Sequence, residues 1–130
     1  MSAKEARKLW VKALRSGEYE QTRGQLRKRD SYCCLGVACD LHMKHVTGMD
    51  VWEKRNGILT AYRQGQLLPE NVRDWLGLSS VSGEFSKPSP MLGQFVKGLE
   101  EVSSLIILND SGGSFDDIAD IIESGMLYLA

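Results

Sequence analysis

Cys33, Cys34, Cys39, His42 and His45 are the residues of this chain best suited by type to covalent or metal chemistry, and they fall in one short stretch. A thiol at a helix start is activated when backbone N–H groups and the helix dipole stabilise its thiolate. Cys33 and Cys34 hold that position ahead of a helical apolar pattern, which makes a cysteine nucleophile the first chemistry to weigh. Its base would have to be His42 or His45. Eight residues separate Cys34 from His42, about 12 Å along a helix, which is too far for a hydrogen bond within it. A zinc site meets a similar obstacle. Each three-residue step on a helix falls about 60° short of a full turn, so Cys39, His42 and His45 fan apart, and the usual second ligand pair is missing. Inert thiols and hydrogen-bonded histidines are the expectation, with no catalytic residue, no metal and no cofactor.

Two further constellations carry chemistry. Asn109, Asp110, Ser111 and Ser114 precede a predicted helix, but no register places the alternating carboxylates, glycine and closing glutamate of a calcium loop. Ser111-Gly112-Gly113-Ser114 has the composition of a phosphate cradle, yet Asp116 and Asp117 already occupy the positive end of that helix, so capping is the expectation. No nucleotide-binding fingerprint of the Walker or dinucleotide kind is present. The basic segments interleaved with aromatics carry more. Arg23, Arg27, Lys28, Arg29 and Tyr32 lie on one predicted hairpin, and Trp52, Lys54, Arg55 and Tyr62 on another. Arginine forks bind phosphates and aromatic faces stack on bases, so Arg23, Arg27, Tyr32, Trp52 and Arg55 are the expected ligand-binding set for an anionic small molecule. A solvated basic face with Tyr32 and Trp52 in the core is the competing reading.

The elements that must position these residues follow from apolar spacing. Ser2 caps a predicted helix from Ala3 to about Arg15, with Ala6, Leu9, Trp10, Ala13 and Leu14 on one stripe and Arg7, Lys8, Lys12 and Arg15 opposite. Ser16-Gly17 ends it. Strands are predicted over residues 21–26 and at Tyr32-Cys33, joined by a charged turn from Arg27 to Ser31. Leu35, Val37, Ala38, Leu41, His42, His45 and Val46 then form the broad apolar band of the most buried helix, stopped by Thr47-Gly48. Asn56-Gly57 marks a second hairpin. Pro69 opens a two-turn helix with Val72, Trp75 and Leu76 inward and Gly77 at its end. Residues 79–90, rich in serine and proline, are expected to be a mobile surface loop. Residues 93–108 stay ambiguous between helix and strand, and Asn109 to Gly113 reads as a loop. Ser114, with Asp117 as its capping partner, starts a last helix, and the apolar tail Met126 to Leu129 either docks on the core or offers an oligomer contact. The whole reads as one α+β domain over residues 1–130, with four or five helices and two short antiparallel β-hairpins.

A chain of 130 residues is long enough for one core, and no apolar run approaches the roughly 20 residues needed to span a bilayer. The N-terminal residues lack the pattern of a secretion signal and the odd, partly adjacent cysteines give no disulfide framework, so a cytoplasmic protein with reduced thiols is expected. Residues 1–63 carry thirteen Lys and Arg against seven Asp and Glu, while residues 64–130 carry three against ten. The net charge of −1 therefore hides halves of opposite sign, which either offset each other across the core or leave a basic face for an anionic partner. The sequence pI of about 6.1 argues against a general duplex-DNA binder, and no sequence-specific DNA binding is expected.

Trp10 with Ala13-Leu14-Arg15-Ser16-Gly17, then Tyr19, Gln21, Gly24 and Leu26, then Cys33-Cys34-Leu35-Gly36-Val37 with Cys39-Asp40-Leu41 form a pattern that resembles a group of small proteins encoded in bacteriophage and prophage genomes. Leu68-Pro69, Val72, Trp75, Gly77-Leu78, Leu108-Asn109-Asp110, Gly112, Phe115, Ile118-Ala119-Asp120 and Ile122-Glu123 extend it over nearly the whole chain, apart from residues 79–104. The resemblance implies a phage origin and a life inside an infected bacterium, and it implies no reaction. The expectation is a non-enzymatic accessory protein that sequesters an anionic nucleotide-type ligand such as a host defence signal. An inhibitor that binds an acidic host protein through the basic face is the alternative, and a hydrolase using a thiol or the Asp110 to Asp120 carboxylates is the third reading.

Overall fold

The computed structural model describes residues 1–86 and 102–130. Its first helix, α1 (Ala3–Arg15), begins at a capping box in which Ser2 Oγ accepts from the Glu5 N–H and the Glu5 carboxylate accepts from the Ser2 N–H. Two of the four orphan donors of the first turn are thereby satisfied. Ala6, Trp10 and Leu14 are buried as the spacing requires, but Val11 is buried too, while Leu9 and Ala13 are only half-buried. The buried stripe is thus turned toward Val11 relative to the one read from sequence.

Two small sheets follow. β1 (Glu20–Gln21) runs parallel to β3 (Ser31–Tyr32), and β2 (Arg27–Lys28) pairs antiparallel with β3, in the order β1-β3-β2. The expected hairpin between residues 21–26 and Tyr32-Cys33 is replaced by this mixed sheet: Gln21 runs parallel to Tyr32, and the antiparallel partner of β3 is Arg27-Lys28, expected as turn, with the actual turn at Arg29-Asp30 and Arg29 left-handed at φ 54°. Gly24 at φ 83° breaks the longer strand expected over residues 21–26. β4 (Trp52–Arg55) and β5 (Ile58–Ala61) form the hairpin that Asn56-Gly57 announced, both turn residues having positive φ as a two-residue primed turn needs. β2 lies against β5, which sets the two sheets side by side.

Between the sheets in the chain lies α2 (Cys34–His42), buried at every one of its positions. Gly36 is obligatory there: a Cβ would run into the Leu26 carbonyl oxygen, because the chain before β2 lies directly on the helix. The helix stops earlier than its apolar band suggests. At Met43–Thr47 the backbone widens to a π-helical turn closed by left-handed Gly48. The wider turn takes His45 and Val46 off the buried face, and both are exposed, contrary to the expectation that they extend it.

α3 (Glu70–Leu76) follows Pro69 and ends at left-handed Gly77. Val72 and Leu76 are buried and Trp75 packs on the core from its edge. Of the ambiguous stretch, residues 93–101 lie outside the described residues, and Leu105–Asp110 is helix α4, capped by Ser104. Asn109 and Asp110 are therefore in its last turn and not in a loop. Helix α5 (Phe115–Ser124) carries the expected Ser114–Asp117 capping box. Within the expected loop, residues 79–86 bond to their surroundings through Ser79 N–H to the Tyr128 carbonyl (2.9 Å) and Phe85 N–H to the Ser103 carbonyl (2.9 Å). Residues 87–90 lie outside the described residues. The tail docks through buried Met126 and Leu127, while Tyr128 and Leu129 remain exposed. The chain is an α+β domain with five α-helices and two small sheets among its described residues, α1 packing along α5, α3 and α2.

Candidate functional site

Burial decides the state of the thiols. Cys33 is the N-cap of α2 and its Sγ accepts from the Gly36 N–H at 3.4 Å. Burial pushes this thiol up to about 11, outweighing the backbone donors that act to lower it. Cys34 and Cys39 are fully buried and held well above the ordinary thiol value for the same reason. His42 is buried, its Nδ1 lies 2.7 Å from the Tyr62 hydroxyl, and Tyr62 and Trp75 pack edge-on against its ring. Burial lowers its pKa. Among the described residues, no three His, Cys, Asp or Glu side chains are grouped to hold a metal ion.

The polar groups around α2 are tied to structure at both ends of the helix. Asn109, with no exposed surface, accepts from the Cys34 N–H (3.1 Å) and Gln21 Nε2 (2.9 Å) and donates to the Thr22 carbonyl (2.9 Å). This side chain fastens the loop after β1 to the start of α2. Asp40, near the other end, accepts from the Tyr19 hydroxyl (2.6 Å), Trp52 Nε1 (3.1 Å) and Lys44 Nζ (2.9 Å). Burial pushes this carboxyl up, but the three donors outweigh it and hold it below its ordinary value.

The predicted ligand-binding set meets this hub only in part. Arg27 opposes Tyr32 across the β2–β3 pair, with its guanidinium 5.0 Å from the Tyr32 ring centre and 5.4 Å from that of Trp52. Tyr32 and Trp52 also pack edge to face at 5.9 Å. Arg27, Tyr32 and Trp52 are therefore one cluster. The polar edge of Arg27 is engaged: Nε donates to the Arg29 carbonyl at 2.5 Å, Nη2 lies 3.5 Å from Asp30, and the side chain is only 19% exposed. Arg55 lies three residues along β4 from Trp52, about 10 Å in strand geometry, and is paired with Glu53 at 3.4 Å. Arg23 is exposed in the loop after β1.

A further concavity lies elsewhere, on the basic side of α1. A groove of about 480 Å³ runs between α1, the end of α5 and the C-terminal tail. Among the described residues, Lys4, Arg7, Lys8, Lys12 and Arg15 line it, against a single carboxylate, Glu123, and its apolar lining is Val11, Ile122, Leu127 and Leu129. Arg7 donates to the Leu76 carbonyl (2.7 Å), which ends α3, and Arg15 pairs with Asp120 (2.5 Å) and Glu123 (3.0 Å). Among the described residues, that is the one place where the basic and acidic halves of the chain meet in ion pairs, and no carboxylate pairs with Lys4, Lys8 or Lys12. The four arginines and lysines opposite the apolar stripe were the sequence signal for this site. What it lacked was the far wall, which comes from residues more than a hundred positions away.

The described residues form a small α+β domain with buried thiols and a basic groove between α1, the end of α5 and the tail. Residues 2–126 match the model of the family described as Domain of unknown function (DUF8296), and the chain belongs to that family. No curated protein and no solved structure matches it. Among the described residues, no helix is long and apolar enough to cross a membrane.

Proposed function

We propose that this protein is a non-enzymatic accessory protein of bacteriophage kind, acting in the cytoplasm of the infected host by binding an acidic host protein. The phage setting rests on the sequence resemblance. The binding reading is carried by one observation, the groove on α1, where the described lining residues set five cations against one carboxylate in a chain whose net charge is −1. A one-signed, concave patch raises the local concentration of an opposite charge and favours its approach. Lys4, Lys8 and Lys12 lie four residues apart, so they form one ridge along the helix.

A small nucleotide-type ligand, such as a host defence signal, is the second reading, and the stack of Arg27 on Tyr32 and Trp52 is what favours it. The acidic-protein reading is stronger because the Arg27 side chain is only 19% exposed, with Nε donating to the Arg29 carbonyl and Nη2 lying 3.5 Å from Asp30. Affinity capture from infected cells with the natural chain and with a Lys4→Glu/Lys8→Glu/Lys12→Glu variant tests the first reading. An acidic protein retained by the natural chain and lost by the folded variant is expected; identical capture by both sinks it. For the second, a nucleotide at 100 times its Kd would add about 2.7 kcal/mol of stability, so a thermal-shift panel without any response removes it.

A further inference from the structure

We infer that the groove between α1 and the C-terminal tail seats one acidic amphipathic helix of the partner; this deepens the reading of the chain as a binder of an acidic protein and rests on it. Length is the first reason. The lining residues of α1 run from Lys4 to Arg15, three turns of one helical face and about 16 Å long, which matches a helix laid lengthwise better than a compact ligand. The second is layering. Val11, Ile122, Leu127 and Leu129 supply an aliphatic floor, and Leu129 is 45% exposed there, while Lys4, Lys8 and Lys12 stand as a charged ridge. A helix with an apolar stripe and carboxylates beside it satisfies both layers at once, in the helix-in-groove mode.

The same lining disfavours the other occupants. Among the described residues, no aromatic ring lines the groove, so they give a base nothing to stack on. Arg7 is held by the Leu76 carbonyl and Arg15 by Asp120 and Glu123, which leaves flexible lysines, point charges without the fork that reads a phosphate. The first-turn amides of α1 are partly taken by its own capping box. A second copy docked groove to groove would bring the same basic lining and repel this one.

The test uses the full chain and two labelled synthetic peptides of identical Leu, Glu and Ala composition, about 14 residues long to exceed three turns. One places leucines three and four residues apart on a single face; the other is shuffled so that no face forms. By fluorescence anisotropy at low salt, the amphipathic peptide is expected to bind at least tenfold more tightly (about 1.4 kcal/mol) than the shuffled one. Leu129→Glu and Lys8→Glu, both at exposed positions, are each expected to weaken it by about tenfold. Equal binding of the two peptides, or binding untouched by Leu129→Glu, overturns the helix seat. If Lys8→Glu nonetheless weakens both peptides, the acidic-partner reading survives that failure. No binding of either peptide also overturns the seat, as does a concentration-dependent dimer in sedimentation that Lys8→Glu dissolves, which would make a second copy the occupant.

Discussion

Helices α1 and α2 pack on each other, yet they use their polar residues in opposite ways. Around α2 every reactive-looking group is turned to internal structure: Cys33 caps the helix, Asn109 ties its start to the loop after β1, and Asp40 collects three donors near its end. Along α1 the buried side is simple, with Trp10 donating to the Cys34 carbonyl (2.9 Å), and the charged side faces an open groove. The richest cluster of chemical residue types is thus the most closed part of the molecule, and the plainest helix borders the open site. Polar groups taken out of water must be satisfied by the fold itself, which removes them from other work.

Substitutions that separate the two regions should affect stability around α2 and binding along α1. Gly36→Ala is the strongest: alanine is the better helix former, but its Cβ meets the backbone oxygen of Leu26, which cannot rotate away. A loss of about 3 kcal/mol or more is expected in urea denaturation. A neutral result would mean that the contact between α2 and the chain before β2 is not tight. Asn109→Ala leaves the Cys34 N–H, Gln21 and the Thr22 carbonyl without their partner, and about 2–3 kcal/mol should be lost in the same assay.

Asp40 gives a pH signature. Its folded-state pKa lies below the ordinary value of 3.8, so its contribution is fully present above that value and is lost as the pH falls through the lower folded value. Asp40→Asn should therefore cost about 1–2 kcal/mol near neutrality and flatten the acid limb of the stability curve below about pH 4. An acid limb unchanged by the substitution would assign acid sensitivity to other carboxylates. At the weak end, Lys8→Glu on α1 should change stability by less than about 0.5 kcal/mol while its binding effect is large. A stability loss as large as that of Asn109→Ala would make the lysine ridge a structural feature and erase the contrast between the helices.

Much of this was legible in the residues. The capping residues Ser2 and Ser114, the Asn56-Gly57 turn and the buried run of α2 are local signals, each acting within a few positions, and each appears where spacing placed it. The misreadings share a cause. Strand at Arg27-Lys28, helix at Asn109-Asp110 and the release of His45 and Val46 depend on what a segment meets, which spacing does not encode. Of the expected binding set, Arg27, Tyr32 and Trp52 come together because β2 lies against the second sheet, whereas Arg55 is carried along β4 away from Trp52.

By itself, the sequence determined that this is a single α+β chain with one helix carrying a broad apolar band, an amphipathic basic helix and opposite charge in its two halves. Only the tertiary structure decided that the thiols are silenced by burial, and that the basic side of α1 becomes one wall of a groove whose other wall is the end of α5 and the tail. The physical reason is range. Periodicity and capping act between neighbours in the chain, while desolvation and concavity arise between segments that only folding brings together.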